Sequence, residues 1–185
     1  MKSTLRKSTY KAIYRLLDRV SPIPSDCGML CDAACCTGDT LAEGQEMGIY
    51  LLPGEEKLFT RKEDWLAFTV EDAQDYDFPE SWSGKVYFVG CKNPPFCPRE
   101  QRPLQCRFFP ILPHIDEDGA LVLILNDVEL PYACPLIEDD IQLDMRFLKA
   151  NYTVWKHLMR DPLIYDLVEW DSEAREEIEV VYPTP

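Results

Sequence analysis

Eight cysteines constrain what this 185-residue chain can become more than any other feature. Cys27, Cys31, Cys35 and Cys36 fall close together, Cys91, Cys97 and Cys106 form a second group, and Cys134 stands alone. Thiolate sulfur is a soft ligand suited to zinc, copper(I) and iron–sulfur clusters. Four thiolates around one ion close a structural site, and three leave a position open. In a reducing compartment, clustered cysteines serve as ligands or catalytic groups more often than as disulfides. Two other readings compete. Free cysteine packs as a small hydrophobe, and an exported chain would pair its thiols as disulfides. The count fits one site with bystanders as well as two sites.

Spacing adds detail. Cys27, Cys31 and Cys35 recur every four residues, so they share one face if the segment is helical. Cys36 then points about 100° away and serves another site or marks the helix end. Cys91 and Cys97 bracket Lys92-Asn93-Pro94-Pro95-Phe96, where prolines predict a preformed ligand loop. Cys106 lies in Arg102-Pro103-Leu104-Gln105-Cys106-Arg107-Phe108-Phe109-Pro110. A tetrathiolate site carries net negative charge. Arg102 and Arg107 can offset it and donate hydrogen bonds to sulfur, which tunes affinity or potential. All eight cysteines are candidate metal ligands, with Arg102 and Arg107 as their cationic support.

These pieces resemble the YkgJ-type cysteine-cluster family, described as zinc- or iron-chelating domains. Its pattern has a cysteine run ending in Cys-Cys, a middle cysteine pair, then Arg-Pro-x-x-Cys-Arg-x-Phe/Tyr-Pro. Cys31, Cys35 and Cys36 match the first part, Cys91 and Cys97 the second, and Arg102 to Pro110 the third. The three-residue gap before Cys35 departs from the usual two. The resemblance spans roughly residues 27–110 and implies a bound zinc or iron, the latter including an iron–sulfur cluster. A more distant similarity, to the cysteine cluster of flagellin lysine methylases, implies an iron–sulfur centre beside methyl transfer.

The rest of the chain reads as one α+β domain over 1–185: a small antiparallel sheet with helices at both ends and cysteine-rich metal-binding loops, the cluster core spanning about 27–134. An apolar fraction of 46% supports a packed interior. Residues 4–20 predict an amphipathic helix with Tyr10, Ile13, Tyr14, Leu17 and Val20 on one face. Ser21 to Ser25, with two prolines, stops it. Strands are expected at Met47–Leu52, Trp65–Val70 and Lys85–Gly90, with weak helix from Glu55 to Asp64 and an acidic surface loop over Glu71–Glu80. Ile111–Ile115 and Ala120–Leu125 flank Asp116-Glu117-Asp118-Gly119, a hairpin signal. A long helix is expected over 138–160. Asp161 as cap and Pro162 at the first position start another, running to about Glu177.

Net charge is -14, yet the first twenty residues carry six basic side chains against Asp18, and 91–107 carry four against Glu100. The remaining acidic surface argues against nucleic-acid binding. No signal peptide or membrane span is recognisable, so a cytoplasmic protein is expected. His114 and His157 are thin candidates for ligand or base, and the acidic runs at 71–80, 138–140 and 171–179 lack a calcium-loop pattern. No phosphate loop, dinucleotide fingerprint or catalytic triad is present. The expected function is metal binding through cysteine thiolates. The alternatives are an iron–sulfur enzyme or accessory in peptide or protein modification, such as methyl transfer, and an interaction module docking an acidic protein partner through its basic helix.

Overall fold

The computed structural model describes residues 2–37 and 48–183. Helix α1 (Lys7–Leu17) forms because Tyr10, Ile13, Tyr14 and Leu17 recur at helical spacing, and all four are buried. Its basic residues stay on the exposed face. Ridges of the long helices α5 (Met145–Leu158) and α6 (Pro162–Glu173) close over the same core, which also holds Leu52, Leu104, Phe108, Ile111 and Leu123. Burying a leucine such as Leu158 completely is worth about 2–5 kcal/mol against alanine.

Two three-stranded antiparallel sheets lie between the helices, where one was expected. In the first, β3 (Lys85–Cys91) is central, flanked by β1 (Gly48–Tyr50) and β2 (Leu66–Asp72). Leu66 pairs with Cys91, so the first thiol of the middle group sits at the end of the central strand. Gly48 faces the Phe88 ring, where a Cβ would sit 2.3 Å from the ring edge. In the second, β4 (Ile111–Ile115) and β5 (Leu121–Leu125) form the expected hairpin. Gly119 takes φ +76° at its turn, and the Asp116 carboxylate accepts from the Asp118 and Ala120 amides. Its third strand, β6 (Val180–Tyr182), comes from the chain's end and pairs with β5.

The expected helix over 138–160 is divided. A short α4 (Pro135–Glu138) ends, Asp140 adopts φ +52°, and α5 starts only at Met145. The cause is local. The Asp144 side chain accepts from the Arg146 amide as a cap, and its own amide bonds to Pro22 O at 2.7 Å, which pins the new start. The Asp161 cap and Pro162 start stand as read, although α6 ends at Glu173. The weak helix at 55–64 is a single 3₁₀ turn at Glu55–Leu58, and β2 runs into the start of the expected acidic loop. Met47 of the first expected strand lies outside the described residues. Among the described residues, no helix is long and apolar enough to cross a membrane.

Candidate metal centre

The first cysteine segment is not one helix. A 3₁₀ turn over Cys27–Leu30 is capped by Asp26, whose carboxylate accepts from the Gly28 amide at 3.1 Å. Asp32 and Ala33 then take positive φ, at 50° and 57°, and a short α2 (Ala34–Thr37) carries Cys35 and Cys36. The left-handed pair breaks the every-four register, so the shared helix face expected for Cys27, Cys31 and Cys35 is not formed. The reversal instead folds the segment back on itself, with the Ala33 amide on Gly28 O at 2.8 Å. Cys35 and Cys36 sulfurs stand 3.9 Å apart.

Cys106 sits on α3 (Leu104–Phe108), a single turn fixed from below. Leu104 and Phe108 are buried on either side of it. The Leu104 amide donates to Glu55 Oε1 at 2.8 Å. Glu55 is fully buried and also accepts from the Tyr14 hydroxyl and the Leu52 amide. One carboxyl thus ties α1, the 3₁₀ turn and the cysteine-bearing helix together. Burial pushes Glu55 above the usual carboxylate range, against these hydrogen bonds and the nearby Arg107 charge.

Thiols from four chain segments converge. Cys36, Cys91 and Cys106 are near enough to feel one another's charge, and Arg102 interacts with Cys36, Cys97 and Cys106. Cys97 completes this group: it interacts with Cys91 and Cys106, and Arg102 Nε donates to its sulfur at 3.2 Å. Cys27, Cys31 and Cys35 are coupled in the same way, and Cys134 joins through Cys27 and Cys31. Cys35 and Cys36 link the two sets. All eight cysteines are free thiols.

Burial first, then the charges of Cys91 and Cys36, pushes Cys106 up to about 12 against the pull of Arg102. Burial also raises Cys27, Cys91 and Cys134. Cys36 goes the other way. Its hydrogen bond with Cys35 lowers it, and Arg102 assists against the cost of burial. Burial disfavours the Arg102 cation, but its bond to Cys97 and the charges of Cys97, Cys36 and Cys106 outweigh that and raise it. Of the two expected arginines, Arg102 is the one that donates to a cysteine sulfur among the described residues.

Arg107 does something else. Its guanidinium pairs with Asp18 at 2.6 Å and lies 4.4 Å from the Tyr14 ring centroid. It also donates to the Arg102, Arg99 and Tyr14 carbonyls. It staples the Cys106 segment to α1 and donates to no sulfur among the described residues. Tyr132, half-buried, escaped the sequence reading although only one residue separates it from Cys134. Burial and then the charges of Cys35, Cys134, Cys36 and Cys106 raise its hydroxyl, which is thus within electrostatic range of both thiol groups.

Comparison with protein-family models, with curated proteins and with solved structures finds no match. The geometry therefore stands by itself. The donor chemistry suits a thiophilic metal, since sulfur predominates, with the Asp26 carboxylate and the Tyr132 hydroxyl as the oxygen donors nearby. Their placement does not close a ligand set: among the described residues, no three or more His, Cys, Asp or Glu side chains are disposed to hold a metal ion. His114 is buried in β4, with its Nδ1 unpartnered among the described residues, and His157 is exposed on α5. Neither is among the groups that interact with the thiols.

Proposed function

We propose that this chain is a cytoplasmic metal-binding protein that chelates zinc or iron through cysteine thiolates, iron including an iron–sulfur cluster. The observation that carries the reading is the convergence of Cys36, Cys91, Cys97 and Cys106 on Arg102, with the guanidinium bonded to a cysteine sulfur. Arg102 is half-buried, and its guanidinium is directed at sulfur where no carboxylate pairs with it among the described residues. These four thiols would hold the metal, and Arg102 would offset the negative charge of the loaded site. Binding would draw the thiols inward from their present separation, so ligation and ordering of the cysteine loops are coupled.

The raised thiols must lose protons to bind, so affinity rises with pH. Cys27, Cys31, Cys35 and Cys134 form the second candidate ligand set of the same reading. The alternative, an iron–sulfur enzyme or accessory in protein modification, draws on a cavity that reaches Cys27, Cys35, Cys36 and Cys106.

A cysteine-to-serine series tests the assignment. Zinc titration against a chromophoric chelator under reducing conditions should show one tight equivalent lost in Cys97→Ser and Cys106→Ser and retained in Cys134→Ser. Equal retention in all three variants would reject the Cys36, Cys91, Cys97 and Cys106 set.

A further inference from the structure

A cavity of about 350 Å³ runs from the thiols into the main core. That size is at the lower end for small-molecule sites. Its inner wall is apolar, with Leu52, Phe108, Ile111 and Val168. Trp155 also lines it, buried at 4% exposure and packed on Phe108 with ring centroids 4.7 Å apart. The indole N–H of Trp155 is buried and has no acceptor among the described residues. A buried donor without a partner costs about 1–3 kcal/mol, so a site that keeps one is short of an acceptor.

The charges on the wall bear on what supplies it. Arg99, Arg102 and Arg107 line it with Asp18 and Asp171, but Arg107 pairs with Asp18, Arg99 with Asp26 at 3.4 Å, and Arg102 donates to Cys97, so the unmet donor on this wall is the indole. Burial raises the Asp171 carboxyl against the pull of Arg175, so it opposes an approaching oxygen less than a free carboxylate would. The geometry points to a binding site for a small apolar molecule bearing a carbonyl or carboxylate oxygen, with that oxygen accepting from Trp155 Nε1. Phe108, Ile111 and Val168 would enclose the hydrocarbon, and the thiol end would be the mouth. The inference stands on the cavity and the unmet donor, independently of metal.

Octanoate and 2-octanone are suitable probes, one anionic and one neutral, each with an apolar tail and one acceptor site. The full-length reduced protein, labelled with ¹⁵N, is titrated with each in metal-free and zinc-supplemented forms. The Trp155 indole resonance is assigned from Trp155→Phe. A saturable shift of that resonance is expected in the wild-type protein, and the backbone amide shifts of Phe108, Ile111 and Val168, read in both proteins, should give an affinity about tenfold weaker in the variant for the loss of one hydrogen bond. Tighter binding of octanoate would identify the ligand as an anion, and tighter binding of 2-octanone as a neutral carbonyl compound. Either supports the site. The wild-type shift decides the matter even if the variant fails to fold. No saturable shift with either probe overturns the inference, as does unchanged affinity in a folded Trp155→Phe. Zinc uptake is read on the same samples, so loss of one property leaves the other measurable.

Discussion

Arg102 and Arg107 flank the same cysteine, yet they do different things. Arg102 reaches Cys97, five residues away in sequence, and that role was legible because motif and partner are local. Arg107 pairs with Asp18, eighty-nine residues distant, and no local pattern announces such a partner. Arg102→Gln should therefore weaken zinc affinity about 10- to 100-fold with the circular dichroism unchanged. Arg107→Gln should instead lower thermal stability before it touches metal affinity. Cys106 and Arg102 could be read from their short motif. The separation of the thiols into two sets could not, since it depends on the positive φ of Asp32 and Ala33. His114 offers a pH test. Burial, then Arg175, lowers its pKa from 6.5, with Asp116 and Asp127 opposing. The unfolded chain then binds more protons below about pH 6.5, so this contribution to stability is complete above that pH and is lost as pH falls. Urea unfolding from about pH 5 to 8 should show this slope, reduced in His114→Gln.

At the scale of elements, α1 is core and not an appendage. Tyr10 donates its hydroxyl to Pro53 O at 2.8 Å, and Tyr14 donates to Glu55. Its apolar periodicity was legible. Its bond to the carboxyl that also holds the Cys106 helix was not, because Glu55 in sequence looks like one more surface acid. Tyr14→Phe should cost about 1–3 kcal/mol by denaturation, since it leaves the buried carboxyl short of a donor. Asp161 shows a similar doubling of roles. Its cap on α6 was readable from Asp-Pro, and it bonds to the Leu163 amide at 3.1 Å. Its other oxygen accepts from Ser3, the Thr4 amide and the Thr4 hydroxyl, tying down the start of the chain. Asp161→Ala should cost about 3 kcal/mol, or roughly 10 °C in Tm, beyond the value of a cap alone. Strand β6 was missed because three residues, Val180–Tyr182, make a weak signal until β5 supplies the partner edge. The helix expected over 138–160 was overdrawn because its apolar stripe passes through Asp144, whose capping bond decides the true start.

Across the whole molecule, one large core and smaller clusters share the work. Cys91 and Cys97 pack against the cluster of Leu51, Trp65, Leu66 and Val89. Cys27 packs on a separate cluster of Ile23, Cys134 and Leu136. Four of the thiols, Cys27, Cys91, Cys97 and Cys134, thus belong to small apolar clusters apart from the main core. The α+β class was legible from hydrophobic periodicity and turn residues. Two sheets in place of one was not, because strand pairing is decided at long range. Metal binding should lock the clusters together, raising Tm in proportion to log free zinc once the site saturates. Reversing Lys7, Lys11 and Arg15 to glutamate tests whether the exposed basic face of α1 has any part in this. Metal content should be unchanged, whereas deleting α1 would remove core residues and unfold the protein. Metal analysis with a visible spectrum on anaerobically purified, reduced protein tests the thiolate centre most directly. Stoichiometric zinc in a colourless preparation, or iron with a thiolate-to-iron absorption band, is the predicted result. Protein free of metal that takes up neither zinc nor iron at micromolar concentration while remaining folded would contradict it.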